Sequence, residues 1–218
     1  MSLAPDAMLF DLDGTLADTA ADLGHVLNLQ RVARGLEPLP LARLRPVVSQ
    51  GARGLLRVGF GLTPEQEGYE PMRAEFLDLY ARNLCRETRL FEGVSAVLDA
   101  LDAAAIPWGV VTNKHARFTE PLIDALGLRY RAGCVISGDT CSRAKPHPDP
   151  LLEAARRLSV ERTRCVYVGD DRRDVQAGRA AGMVAVVALY GYLGEEPDPG
   201  SWDAHRAVDH PLDLLGLL

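Results

Sequence analysis

Short apolar runs separated by amphipathic stretches organise this chain. The first run, Met8-Leu9-Phe10, is continuous rather than alternating, as expected of a strand buried on both faces. Residues 18–34 then read as a helix. Asp18 or Thr19 can cap it, Leu23, Val26, Leu27 and Leu29 supply its apolar positions, and Gly35 ends it ahead of Pro38 and Pro40. Residues 41–60 keep a helical pattern but are broken at Ser49-Gln50-Gly51-Ala52-Arg53-Gly54, a polar, glycine-containing stretch that predicts a loop closing on something. Thr63-Pro64-Glu65-Gln66 predicts a helix start, with threonine as the cap, proline at the first position and acids in the first turn. Met72, Phe76, Tyr80 and Leu84 then recur every four residues, a stripe for packing within this segment. No strand pattern occurs between 18 and 87, so the first strand is followed by an all-helical insertion.

After residue 87 the pattern changes to alternation. Val94, Val97, Leu98 and Leu101 follow Gly93 as an amphipathic helix, and Pro107 to Val111 reads as a buried strand ending at Thr112-Asn113-Lys114. A helix over 116–126 stops at Gly127, and Cys134 to Ser137 is a short strand. Pro150 to Leu158 is helix, Arg164 to Val168 is strand ending at Gly169-Asp170-Asp171, and Asp174 to Ala181 is helix stopped by Gly182. Val184 to Leu189 is a further strand, Ala207-Val208 a short one, and a terminal helix starts at Pro211. Residues 190–206, rich in glycine, proline and acids, predict a surface loop. Alternation of this kind implies right-handed crossovers and an α/β fold, a Rossmann-like parallel sheet with helices on both faces. The expected domains are an α/β core from 1–17 and 88–218 and a helical domain from 18–87.

Composition narrows the function classes. A chain of 218 residues can bury one good core and carry a second small unit. The formal net charge of −6 argues against general binding to nucleic acid or to an anionic membrane. It leaves room for an anionic substrate where lysines or a bound cation reverse the local field. Cys85, Cys134, Cys141 and Cys165 form no C-x-x-C pair, so free thiols in a reducing cytoplasm are expected rather than a zinc site. No apolar stretch reaches membrane-spanning length, and no basic-then-apolar leader pattern is visible.

Four polar clusters fall at expected carboxyl ends of strands or in loops beside them: Asp11/Asp13, Thr112, Lys145 and Asp170/Asp174. In a parallel sheet those ends share one edge, where ligands bind. Gly14 permits the turn that lets both acids of Asp11-Leu12-Asp13 approach one ligand. P-loop and serine-hydrolase elbow motifs are absent. Acids from several strands suit a hard cation such as Mg²⁺, and a lysine and a hydroxyl beside it suit a phosphoryl group. An aspartate can be the nucleophile, and one two residues on can serve as acid and then base.

Taken together, Asp11-Leu12-Asp13-Gly14-Thr15, Thr112, Lys145-Pro146 and Gly169-Asp170-Asp171-Arg172-Arg173-Asp174 resemble the four motifs of the haloacid dehalogenase-like phosphohydrolases, in order and over nearly the whole chain. The resemblance implies Asp11 as nucleophile, Asp13 as acid/base, Thr112 and Lys145 on the phosphate, and Mg²⁺ on Asp11, the Asp13 carbonyl and Asp170, with Asp174 behind them. It implies that 18–87 is a movable cap. Val48 to Arg53, Val111 to Lys114, Tyr190-Gly191-Tyr192 and Val208 to Pro211 are similar to the phosphoglycolate phosphatases, and to the N-acetylmuramic acid 6-phosphate phosphatase branch within them. The expected partner is a small anionic phosphate ester, with Asn113 beside Thr112 and Lys145 in the substrate site. Arg53 is read either as a substrate contact or as a surface residue, Arg172 and Arg173 as a solvated face, and His115 and His147 as incidental. A sugar phosphomutase of the same family shares all four motifs. A dehalogenase is disfavoured because Asp13 is present. A phospho-receiver domain is disfavoured because the strand before Thr112 ends without an aspartate.

Overall fold

A computed structural model describes residues 4–195 and 198–218. The first three residues of the sequence, and residues 196 and 197 in the expected 190–206 loop, lie outside the described residues. The elements in chain order are β1 (Ala7–Phe10), β2 (Ala17–Asp18), α1 (Ala20–Val32), α2 (Leu41–Leu44), α3 (Gly51–Phe60), α4 (Tyr69–Arg82) and β3 (Arg89–Leu90). There follow α5 (Val94–Ala103), β4 (Trp108–Val111), α6 (Ala116–Ala125), β5 (Cys134–Ile136), α7 (Asp149–Leu158), β6 (Cys165–Gly169), α8 (Arg172–Ala181), β7 (Val184–Ala188) and β8 (Arg206–Val208).

Six strands form a parallel sheet in the order β5-β4-β1-β6-β7-β8. Phe10 pairs in register with Val110 of β4 and Val168 of β6, so Asp11, Thr112 and Asp170 all emerge from one edge of the sheet. The chain runs outward from β1 to β4 and β5, then returns to the other side of β1 for β6, which makes the β1/β6 boundary the switch point where ligands bind in such sheets. All four residues of β1 are buried, and they divide by the period-two rule. Met8 and Phe10 join a cluster with α5 and the Trp108 ring, whereas Ala7 and Leu9 join one with α7 and α8. A sheet covered on both faces explains why its strands read as continuous apolar runs.

Helices α1 to α4 have their own cluster, around Leu27, Leu44, Leu55, Phe76 and Tyr80, which also takes in Phe118 and Tyr192 from the sheet-bearing part. This region differs from the sequence expectation at several points. The polar break at 49–54 is helical: a 3-10 turn over Arg45–Gln50 passes into α3, so Arg53 sits in a helical first turn rather than in a loop. The expected helix start at Thr63 forms only turns, because Gly68 adopts φ +87° and α4 begins after it. The terminal segment Pro211–Leu217 is a 3-10 helix. Leu29, an expected apolar contact of α1, is 37% exposed.

The two crossings between sheet and helices are tied together. β2 and β3 pair antiparallel, with Ala17 opposite Leu90 and Asp18 opposite Arg89. Asp22 of α1 is buried and accepts from the backbone N–H groups of Arg86 (3.0 Å), Glu87 (2.8 Å) and Thr88 (3.2 Å) and from the Thr88 hydroxyl (2.7 Å). The N-terminus of α1 is capped by the Tyr192 hydroxyl, which accepts from Thr19 N (2.7 Å) and Ala20 N (3.0 Å), rather than by the expected Asp18 or Thr19 alone.

Candidate active site

Asp11 follows directly on β1 at the centre of the sheet edge, and the turn after it brings Gly14 against Asp170. Gly14 has φ +88°, and a Cβ there would collide with the Asp170 carboxylate, so a glycine is required on both counts. Asp11, Asp170 and Asp174 are all buried and offer oxygens within 4.8 Å of one another. Lys145, from the segment between β5 and α7, is buried among them. Its ammonium donates to Asp174 Oδ1 (2.7 Å), the Tyr167 hydroxyl (2.8 Å) and Val111 O (2.9 Å). Lys145 Nζ also lies 2.9 Å from Asp11 Oδ1 as an ion pair, without the geometry of a well-aligned hydrogen bond. Asp11 therefore keeps a buried carboxylate oxygen that is electrostatically held but not hydrogen-bonded.

Burial pushes the Asp11 carboxyl up to about 6, with Lys145 opposing and Asp174 adding to the rise. Burial, then the Asp11 and Asp174 charges, hold Asp170 well above the usual carboxylate range. Burial would lower Lys145, but Asp11 and Asp174 more than reverse this. Three acids facing one ammonium leave excess negative charge in a dry pocket, which a divalent cation would neutralise. The donor set is all oxygen, matching a hard cation, and Asp11 Oδ1 is engaged only by the Lys145 ammonium. These residues fit Mg²⁺. Asp174 has both oxygens engaged, Oδ1 by Lys145 and Tyr167 (2.8 Å) and Oδ2 by Asp171 N (3.1 Å), so it buttresses the cluster rather than facing a ligand freely.

The Asp13 side chain is held apart from that cluster. Both its oxygens accept from Lys114 Nζ, at 2.6 and 2.8 Å, and Oδ1 also accepts from the Thr19 hydroxyl at 2.6 Å. Lys114 lies over the Tyr80 ring, 4.9 Å from its centroid, and burial, which would lower it, is outweighed by Asp13, so it stays protonated. Thr112 accepts from Lys114 N (3.2 Å) and lines the same cavity. Asn113 lines the cavity too, but its amide is engaged inside the protein: Nδ2 donates to Lys145 O (2.9 Å) and Oδ1 accepts from Lys145 N (3.0 Å). Arg53 lines the cavity from α3, exposed and without an ion pair among the described residues.

Several residues here carried no role in the sequence reading. Arg173, expected on a solvated face, is half-buried. It pairs with Asp171 (2.8 Å) and donates to Ser49 O (2.8 Å), and Ser49 Oγ in turn donates to Asp170 Oδ2 (3.2 Å). Tyr192 N reaches the same Asp170 oxygen at 2.8 Å, and Thr15 Oγ1 reaches Oδ1 at 3.1 Å. Lys114 stands in the Thr112-Asn113-Lys114 stretch, yet its pairing with Asp13, 101 positions away, depends on the fold. His147 is exposed, and His115, also exposed, lies 3.6 Å from Asp139. The cavity above these groups holds about 290 Å³, walled by the sheet edge below and by α3 and α4 above.

The family model for haloacid dehalogenase-like hydrolases matches residues 8–188. The chain is a haloacid dehalogenase-like hydrolase. Among its relatives in that family, an N-acetylmuramic acid 6-phosphate phosphatase of Pseudomonas aeruginosa is 42% identical over 212 residues, covering 97% of this chain and 94% of that protein. A phosphoglycolate phosphatase of Xanthomonas campestris is 46% identical over 210 residues, covering 96% and 95%. The crystal structure of a predicted phosphoglycolate phosphatase from Haemophilus somnus superposes with a TM-score of 0.84 at 25% identity, covering 99% and 98% of the two chains. This haloacid dehalogenase-like hydrolase is thus similar over its full length to phosphatases, and it is an enzyme of that kind.

Proposed function

We propose that this phosphatase is Mg²⁺-dependent and hydrolyses a small phosphate monoester through an aspartyl phosphate on Asp11. The observation that carries the reading is the buried Asp11 oxygen without a hydrogen bond, ringed by Asp170, Asp174 and Lys145. Asp11 attacks phosphorus and the bond to the leaving alcohol breaks. Asp13 gives that alcohol a proton. In the second step Asp13 takes a proton from water, which attacks phosphorus and returns Asp11 as carboxylate with release of phosphate. Thr112 and Lys145 bind the phosphoryl oxygens, and Asn113 holds the Lys145 backbone in position. Asp11, the Asp13 carbonyl and Asp170 would hold Mg²⁺, backed by Asp174. When bound, the ion neutralises charge on the phosphoryl oxygens. Residues 18–87 act as a cap over the 1–17 and 88–218 core.

The substrate is a carboxylated phosphate ester, 2-phosphoglycolate or N-acetylmuramic acid 6-phosphate, the two named by the relatives. Arg53 supports this as a cavity-lining cation without an ion pair among the described residues. Four free cysteines suit a reducing cytoplasm, and among the described residues no helix is long and apolar enough to cross a membrane. Phosphate release from a panel of esters, with and without Mg²⁺, tests the proposal. Isomerisation of a sugar phosphate without net release would favour the phosphomutase reading.

A further inference from the structure

The half of the cavity roofed by the helical segment has a chemistry unlike the half at the sheet edge. All acids lining the cavity, Asp11, Asp13, Asp171 and Asp174, belong to the sheet side. No acid lines it from the helical side, which contributes two cations, Arg53 and Arg73. Tyr69, Arg73, Phe76, Leu77 and Tyr80 line it from one face of α4, at spacings of four, three, one and three residues. Arg73 is the one charged residue on that otherwise aromatic and apolar stripe. Its pairing is with Glu70, at 3.4 Å and exposed, a contact of little energetic weight. From α3, Arg53 lines the same space without an ion pair among the described residues, and the α3 N-terminus there has no side-chain cap. Burial raises the Tyr69 phenol; Arg73 opposes this most, Glu70 adds to it, and Arg53 opposes it less strongly. The buried Tyr80, also in the wall, has a hydroxyl without a well-aligned hydrogen bond among the described residues, beside the Lys114 ammonium.

We propose that Arg73 is a specificity-determining residue that joins Arg53 to clamp a carboxylate borne on a sugar-sized leaving group. The clamp rests on the phosphatase reading above. Two guanidiniums can bind one carboxylate through several charge-assisted hydrogen bonds. The cavity of about 290 Å³ takes in the phosphoryl site as well as the space beside the helices, where Phe76 and Leu77, next to Arg73, offer an apolar wall for the face of a pyranose ring.

The test compares N-acetylmuramic acid 6-phosphate with N-acetylglucosamine 6-phosphate, which has the same ring without the lactyl carboxylate. It adds 2-phosphoglycolate and p-nitrophenyl phosphate. The wild type should prefer the first of these. Arg73→Gln should lower kcat/KM for it by roughly 10- to 100-fold, chiefly through KM, the worth of one or two charged hydrogen bonds. The loss on the carboxylate-free sugar should be about ten-fold smaller, and Arg73→Lys should recover part of the activity. Equal losses on both sugars, no loss on either, or a wild-type preference for 2-phosphoglycolate would overturn the clamp. Calorimetric binding of N-acetylmuramic acid 6-phosphate to Asp11→Asn protein separates this from the phosphatase reading. Weakening by Arg73→Gln upholds the clamp whether or not phosphate is released, and unchanged affinity overturns it.

Discussion

Asp11 combines two properties that oppose one another: a carboxylate oxygen without a well-aligned hydrogen bond, and a position where a charge is costly. Its carboxyl is raised from 3.8 to about 6, so the folded protein holds that proton more tightly than the unfolded chain does. The raised value contributes stability that is fully present below about pH 4 and is lost as pH rises through 6. At pH 7, metal-free protein therefore carries a destabilising carboxylate at this position. Asp11→Asn should abolish turnover, on the order of 10⁴-fold or more in kcat, while the metal-free variant melts at or above the wild-type temperature. Phosphate release and a thermal melt on the same preparation check both halves. A folded Asn variant with near-normal release would remove Asp11 from the chemistry. Arg53→Ala belongs to the same scale. It should cost the carboxylated substrate roughly 10- to 100-fold in kcat/KM and p-nitrophenyl phosphate much less. Equal losses would show that Arg53 serves the phosphate or the packing of the helices. The residues Asp11, Asp13, Thr112, Lys145 and Asp170 stood out in the sequence because each follows an apolar strand or a distinctive turn. Lys114 and Arg173 did not, because an ion pair between distant segments leaves no local pattern.

At the scale of elements, the strands of the large sheet were legible because burial on both faces makes each a short apolar run that ends in polar residues. β2 and β3 were not, since two-residue strands carry no periodicity and exist only through their pairing. The Thr63 to Gln66 signal failed because Gly68, in a left-handed conformation, separates those residues from α4. The break at 49–54 was read as a loop from its polarity, but its polar groups point to work at the sheet edge: Ser49 meets Asp170 and Arg173, and Arg53 meets the cavity. Asp22 is the element-scale joint, since it ties the start of the helical segment to its return at 86–88. Asp22→Ala would strip three buried or half-buried N–H groups and a hydroxyl of their acceptor. The expected cost is about 3 kcal/mol, the range for hydrogen bonds to a charged group, measured by urea denaturation. A change within about 0.5 kcal/mol, ordinary for a surface substitution, would show that the joint carries no load.

Across the whole molecule, one cavity is lined by acids from the sheet edge and by cations from the helical roof. Divalent binding should relieve the acids. Adding Mg²⁺ to chelator-treated protein at pH 7 should raise its melting temperature, by an amount growing with the logarithm of concentration above Kd. Ca²⁺, with more ligands at longer distances, should bind but support turnover poorly. A melting temperature insensitive to Mg²⁺, together with full activity in excess chelator, would contradict the metal assignment. The central claim is that turnover passes through a phosphoryl group on Asp11. It is tested most directly by mixing enzyme, Mg²⁺ and substrate, quenching in acid within the first turnover, and mapping peptides by mass spectrometry. The result expected is one added phosphoryl group on the peptide containing Asp11, absent in Asp11→Asn. Rapid phosphate release with the phosphoryl group on another residue, or on none, would contradict it.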